Sequence, residues 1–258
     1  MQKIIKKIIA SIRSIGVTGT LIKLSKHLFN KMFRDQKIEE KIFSFQNIED
    51  RFTAIYRNNL WGNFESVSGN GSTLEGTKNL RSKLPELFEK FSIKTIFDAP
   101  CGDFNWMRHF LEKSKVNYIG GDIVRPLIDE HNANFQNAST KFLHVDITKD
   151  KLPAADLMIC RDCLFHLSYN DTKLFLQNFI DSKILYLLTT TYINQGEFSN
   201  QDIKTGGFRL IDLLSAPYHF EENVLYRIED TIPNETPREM CLWSREQIIS
   251  AMEKFNRN

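Results

Sequence analysis

From Ile93 onward, short apolar runs alternate with stretches whose apolar residues recur at helical spacing. "KTIFDA" reads as a first strand, "FNWMRHFLEK" as a helix and "VNYIGGDI" as a second strand. "RPLIDEHNANF" then reads as a helix, "KFLHVDI" and "ADLMICR" as strands three and four, "NDTKLFLQNFI" as a helix, and "KILYLLTTTY" as strand five. Such alternation predicts a doubly wound α/β domain, with a mostly parallel sheet and helices on both faces. After Tyr192 a long polar loop and a short apolar segment lead to "NVLYRIED" and "REMCLWS". These two pieces predict an antiparallel hairpin that completes seven strands. Ser244 and Gln247 have capping-box spacing and should open a last helix. Ser72 and Glu75 share that spacing, which predicts a helix through "TKNLRSKL", with Pro85 beginning another. The expected organisation is a helical extension with a lid loop over residues 1–71 and an α/β domain over 72–258.

The first 34 residues break the general balance of charge. They carry eight Lys and Arg and no acid, and in "MQKIIKKIIASI" the isoleucines share one helical face opposite the lysines. Two readings stay open: peripheral contact with an anionic membrane, or a helix packed on the domain or on a second copy in a homodimer. A secretory signal is not expected, because charges interrupt the apolar run and no small-residue cleavage site follows. A net charge of +2 speaks against a nucleic-acid partner. No apolar run approaches the ~18 residues of a membrane span, and four scattered cysteines suit a reducing cytoplasm.

The candidate chemistry begins at the first strand–helix turn, "DAPCGDF". One glycine between two acids is a poor cradle for a diphosphate, and neither a dinucleotide fingerprint nor a P-loop occurs. Three strands instead end in aspartates: Asp98, Asp122 (20 residues past Gly102) and Asp146. In an open α/β sheet that edge faces the ligand. A carboxylate at Asp122 suits two ribose hydroxyls, and one at Asp146 suits an exocyclic amine.

In this order the motifs resemble those of class I S-adenosylmethionine-dependent methyltransferases. Asp98 and Gly102 match the family's acid-x-Gly-x-Gly turn, while Pro100 replaces its first glycine and Phe104 its last. "DAPCGDFNWM", "GGDIV" and "CRDCLFHLS" further resemble bacterial enzymes of surface-polysaccharide biosynthesis, thought to methylate sugar hydroxyls including those of capsular heptoses. The resemblance implies a Rossmann-like fold, S-adenosylmethionine as cofactor, and a small sugar, activated or phosphorylated, as substrate. It implies cofactor contacts at Asp98, Ala99, Pro100, Gly102, Asp122, Ile123, Asp146, Ile147 and Arg161. Trp61, Ser72 and Arg81 are expected to cover the cofactor, Arg81 on the methionine carboxylate. Acids and aromatic faces suit a sulfonium, so Asp103, Phe104 and Trp106 are expected beside it, where substrate also enters. Tyr192, Asp202 and Arg209 are expected on the sugar, Arg209 pairing with a phosphate or closing its loop structurally.

After strand four, Asp162 and His166 would share a face if a helical turn follows. Such a pair suits a general base and its orienting partner, in either assignment, and His166 could equally be a buried structural histidine. Cys160, Cys163 and His166 form C-x-x-C-x-x-H, but zinc needs a fourth ligand and only Cys101 is a candidate. Magnesium on Asp162 and Asp202 is a further alternative, and no metal is expected. Competing readings are a membrane-surface scaffold with a vestigial nucleoside fold, and a methyltransferase with another acceptor.

Overall fold

The computed structural model describes Val17, Lys37, Ile38, residues 40–233 and residues 235–256. Two compact units emerge, Met1–Gln46 and Asn47–Asn258. In the first, residues 40–44 are helical. The basic amphipathic helix expected within residues 1–34 lies outside the described residues, apart from Val17.

The second unit contains the sheet. Its strands are β1 (Thr95–Asp98), β2 (Asn117–Asp122), β3 (Thr140–His144), β4 (Leu157–Cys160), β5 (Tyr186–Tyr192), β6 (Tyr226–Glu229) and β7 (Arg238–Ser244). They stand in the order β3-β2-β1-β4-β5-β7-β6, the first five parallel and β7 antiparallel to both its neighbours. The expected α/β sheet and its closing hairpin are both present.

Strand side chains alternate between two cores, because successive residues point to opposite faces. Phe97, Met158, Leu187 and Trp243 enter one cluster; Ile96, Leu157, Leu188 and Leu242 enter the other. Both faces are covered, so β4 is apolar throughout and β5 mixes apolar residues with buried threonines. The helices are α1 (Ile48–Arg57), α2 (Lys78–Lys90), α3 (Asn105–Leu111), α4 (Arg125–Phe135), α5 (Tyr169–Ser182) and α6 (Arg245–Phe255). Phe175, Leu176 and Phe179 of α5 and Ile248 and Met252 of α6 pack on the first face. Leu80, Leu84, Leu87 and Phe88 of α2, with Met107 of α3 and Ile128 of α4, pack on the second. The Ser244–Gln247 capping box opens α6 as expected.

Residues 72–90 differ from expectation. Ser72 ends a 3-10 turn (Asn70–Ser72), Thr77 caps α2, and Pro85 sits inside that one helix. Leu80, Leu84, Leu87 and Phe88 form one apolar stripe across Pro85, and its burial outweighs the backbone hydrogen bond that proline removes.

Candidate functional site

Strand order creates the site. β1 runs to β2 on one side and has β4 on its other, so the crossovers diverge and leave a crevice at the strands' carboxyl ends. A cavity of about 340 Å³ occupies it, within the roughly 300–1,000 Å³ usual for small-molecule sites. Asp98, Asp122 and Asp146 all line it, and all are buried.

Asp98 closes β1 and accepts a hydrogen bond from the Tyr118 hydroxyl at 2.9 Å. Burial pushes its carboxyl up to about 7, against the pull of Tyr118 and Arg161. Asp122 closes β2. One of its oxygens accepts from Gly102 N–H at 3.1 Å and the other from Val124 N–H at 3.0 Å. Burial raises its pKa while those N–H groups hold it down. Each oxygen keeps a lone pair, the arrangement a vicinal diol requires. Asp146 lies two residues beyond β3, and its carboxylate is engaged already. Oδ1 accepts from Thr148 Oγ1 and N–H at 2.6 and 3.0 Å, and Oδ2 pairs with Lys149 at 3.1 Å.

Pro100, Gly102, Ile123, Ile147, Trp106 and Tyr192 also reach the cavity, as do Trp61, Ser72 and Arg161 from the expected set. Arg161 has a structural task as well. Its fork donates to both oxygens of Asp230, at 3.0 and 3.1 Å, and its Nη1 lies 3.2 Å from Asp162. Arg238, at the start of β7, approaches the same Asp162 oxygen at 3.1 Å. The Asp230 carboxyl, pushed up by burial and pulled down by Arg161, stands at about 6.

Six expected contacts lie elsewhere. Ala99 is buried behind the first turn, its N–H donating to Ile159. Arg81 donates to Thr77 Oγ1 and to the Leu74 carbonyl, within its own helix entry. Phe104, in the left-handed conformation, turns into the core against Tyr118 and Phe142. The sulfonium face expected of it is therefore spent on packing. Asp103 instead accepts from Val67 N–H at 2.9 Å and Asn105 N–H at 3.2 Å, tying the loop after α1 to the first turn. Asp202 accepts from the N–H groups of Tyr169 and Ile203. Arg209 is buried and donates to the Leu164 and Leu167 carbonyls and to the Tyr218 hydroxyl. Its fork clamps the turn that carries His166, the structural one of the two roles expected of it.

That turn is a 3-10 helix, Leu164–His166, and Asp162 precedes it with φ 52°. The expected shared helical face does not form. Asp162 faces Arg161, Arg238 and Thr190. Burial alone would raise its carboxyl, but the two guanidinium groups outweigh this and hold it below the usual range. His166 is oriented by a backbone carbonyl: Nδ1 donates to Gly207 O at 2.6 Å. Burial drives its pKa down to about 4. The imidazole is thus neutral near pH 7 and its lone pair lies on Nε2. Among the described residues no group of three or more His, Cys, Asp or Glu is placed to hold a metal ion.

Sequence reasoning missed α1, which brings Ile48, Phe52 and Ile55 to the cavity. Its signals are plain in retrospect: Asn47 accepts from Glu49 N–H as N-cap, acids fill the first turn, and apolar residues recur at i, i+4 and i+7. Asp230, Ile232 and Glu235 of the β6–β7 connection and Arg238 at the start of β7 were missed too, and only the folded sheet brings this segment to the Arg161 and Asp162 that follow β4.

Neither a protein-family model nor a curated protein matches this sequence. Solved structures do. Magnesium protoporphyrin IX methyltransferase (ChlM) from Synechocystis PCC 6803, with bound SAM, superposes with a TM-score of 0.52 at 10% identity, over 78% of this chain and 99% of that one. Human N-acetylserotonin methyltransferase in complex with SAM gives 0.48 at 13% identity, over 75% of this chain and 58% of that one. PigF with SAH gives 0.49 at 10% identity, over 66% and 56%. The chain therefore spans less than two thirds of these last two proteins. A seven-stranded sheet of this order, superposable on ChlM, is the Rossmann-like fold of the methyltransferases.

Proposed function

We propose that this protein is an S-adenosylmethionine-dependent O-methyltransferase acting on a sugar hydroxyl, with a capsular heptose as the acceptor suggested by its sequence motifs. The observation that carries the reading is the convergence of Asp98, Asp122 and Asp146 on one buried cavity at the sheet's switch point. Solved neighbours of the same fold hold SAM or its product SAH, which supports the choice of cofactor. The residues present fit that group, since each Asp122 oxygen, held by a main-chain N–H, can accept a further hydrogen bond from a ribose hydroxyl, and carboxylates outnumber cations on the wall.

When bound, S-adenosylmethionine supplies an electrophilic methyl on a sulfonium. Asp122 would bind the ribose, and the Ile123 and Ile147 side chains offer apolar contact to a flat base. His166, neutral and fixed in one tautomer, accepts at Nε2 the proton that the acceptor hydroxyl loses as its oxygen is alkylated. α1 and the loop after it form one wall of the cavity that would hold the reacting atoms. Incubating the purified protein with S-adenosylmethionine and a heptose panel should yield a product heavier by one methylene and an equivalent of S-adenosylhomocysteine. Failure of calorimetry to detect either cofactor form would remove the reading.

A further inference from the structure

His166 stands in an aromatic enclosure assembled from three separate segments. Trp61 stacks on it, with ring centroids 4.2 Å apart and planes at 12°. Phe165 meets it edge-on at 4.5 Å, and Phe208 lies at 6.0 Å. Phe208 is 59% exposed although it lines the cavity. A large apolar ring kept in water at a cavity mouth, beside the group assigned to deprotonate the acceptor, is what a stacking subsite needs.

Its surroundings define the charge of the occupant. Among the described residues lining the cavity, Asp98 holds a proton below about 7, Asp146 pairs with Lys149 and Asp162 with Arg161 and Arg238, which leaves Asp122 and Glu235 as the negative groups of the wall. Both guanidinium groups are held by Asp162 and Asp230. The remaining candidate for a phosphate, Arg209, is spent on backbone carbonyls. A phosphoryl dianion entering here would meet net negative charge and no free guanidinium group. A neutral polyol would not.

We infer that the acceptor reacts as an uncharged sugar ring seated against Phe208 and Trp61 beside His166, and that a phosphorylated sugar is rejected by the same cavity. The inference rests on the proposed function and specifies its substrate class. The enclosure supplies affinity through ring contact, while the carboxylate-rich wall supplies discrimination.

The test uses the full chain saturated with S-adenosylhomocysteine, titrated in a calorimeter with methyl heptopyranoside and, separately, with heptose 7-phosphate. The uncharged glycoside should bind the more tightly. Phe208→Ala should weaken it about tenfold, the loss expected for roughly 50 Å² of apolar contact, and Phe208→Trp should restore it. Affinity for S-adenosylhomocysteine should not change, since Phe208 is assigned to the acceptor. Equal or tighter binding of the phosphorylated sugar, or a glycoside affinity indifferent to Phe208, overturns the inference. Binding of S-adenosylhomocysteine but of neither sugar also overturns it and leaves the cofactor reading intact. Absence of S-adenosylhomocysteine binding removes the proposed function itself.

Discussion

Trp61 lies flat on His166 at 4.2 Å, while the Gly207 carbonyl holds the imidazole Nδ1 at 2.6 Å. Two loops far apart in sequence thus grip one ring. The indole removes water from its face, and the carbonyl selects its tautomer. Burial then favours the uncharged form, which leaves Nε2 available over a wider pH range than an exposed histidine allows.

The rate of methyl transfer should therefore stay level as pH falls from 8 to about 5, because His166 takes up a proton only near 4. An ordinary histidine would lose its basic form around 6.5. His166→Gln should lower kcat by about 10²–10⁴ with the affinity for S-adenosylhomocysteine preserved. Stopped assays across pH check the first expectation. A profile breaking near 6.5 would contradict the assigned environment.

Asp122→Ala should weaken S-adenosylhomocysteine binding by at least about tenfold, since hydrogen bonds to a charged acceptor contribute roughly 1.5–3 kcal/mol each. It also strands the Gly102 and Val124 N–H groups that now point at the carboxylate. Calorimetry on the variant, with its melting temperature as control for folding, reads the effect.

Asp98 makes folding sensitive to pH in the opposite sense to a salt-bridged acid. Its pKa is raised from 3.8 to about 7 in the folded chain. Between those values the native state holds a proton that the unfolded chain has released. Its contribution to stability is thus complete below about 4 and lost as pH rises through about 7. Asp98→Asn keeps an acceptor for the Tyr118 hydroxyl without the titration. The melting temperature of this variant, measured against the native protein, should gain steadily from pH 4 to 8.

Gly71 sits where the loop after α1 presses on the charged cluster. A Cβ there would lie 2.5 Å from Asp162 Oδ2 and 2.9 Å from Arg238 Nη2. Gly71→Ala should cost about 1–3 kcal/mol through forced displacement, visible as a lower denaturant midpoint. An unchanged midpoint would mean that the loop does not seat as described.

The removal of Asp230 should be more damaging than that of an exposed acid. Asp230→Ala leaves Arg161 buried with its bidentate partner gone, a defect worth about 3–5 kcal/mol. Urea unfolding compared with Glu246→Ala, on the outer face of α6, measures the contrast.

The order of strands and helices after Ile93 was readable because burial on both sheet faces leaves runs without charged residues such as "LMIC" and "YLLTTTY". The aspartates at strand ends were readable for a related reason: an acid that terminates an apolar run marks the edge of the sheet. Residues on irregular backbone were not. Arg81, Asp103, Asp202 and Arg209 looked available for ligand in the linear chain, yet each is engaged by nearby main chain. Phe104 resembled an active-site aromatic until the left-handed turn carried its ring into the core.

Periodicity and punctuation along the chain were therefore enough to determine the sheet, the hairpin that closes it and the edge where three aspartates gather. Those features depend on local burial, which each segment records in its own pattern of apolar residues. Tertiary structure decided which polar groups remain free at that edge: it gave the orienting role to Gly207 rather than Asp162, and brought Trp61 and Phe208 to His166. Such pairings join His166 to segments 41 residues away at Gly207 and about a hundred away at Trp61, and hydrogen bonds and ring contacts form only between groups that the folded backbone has already brought within reach.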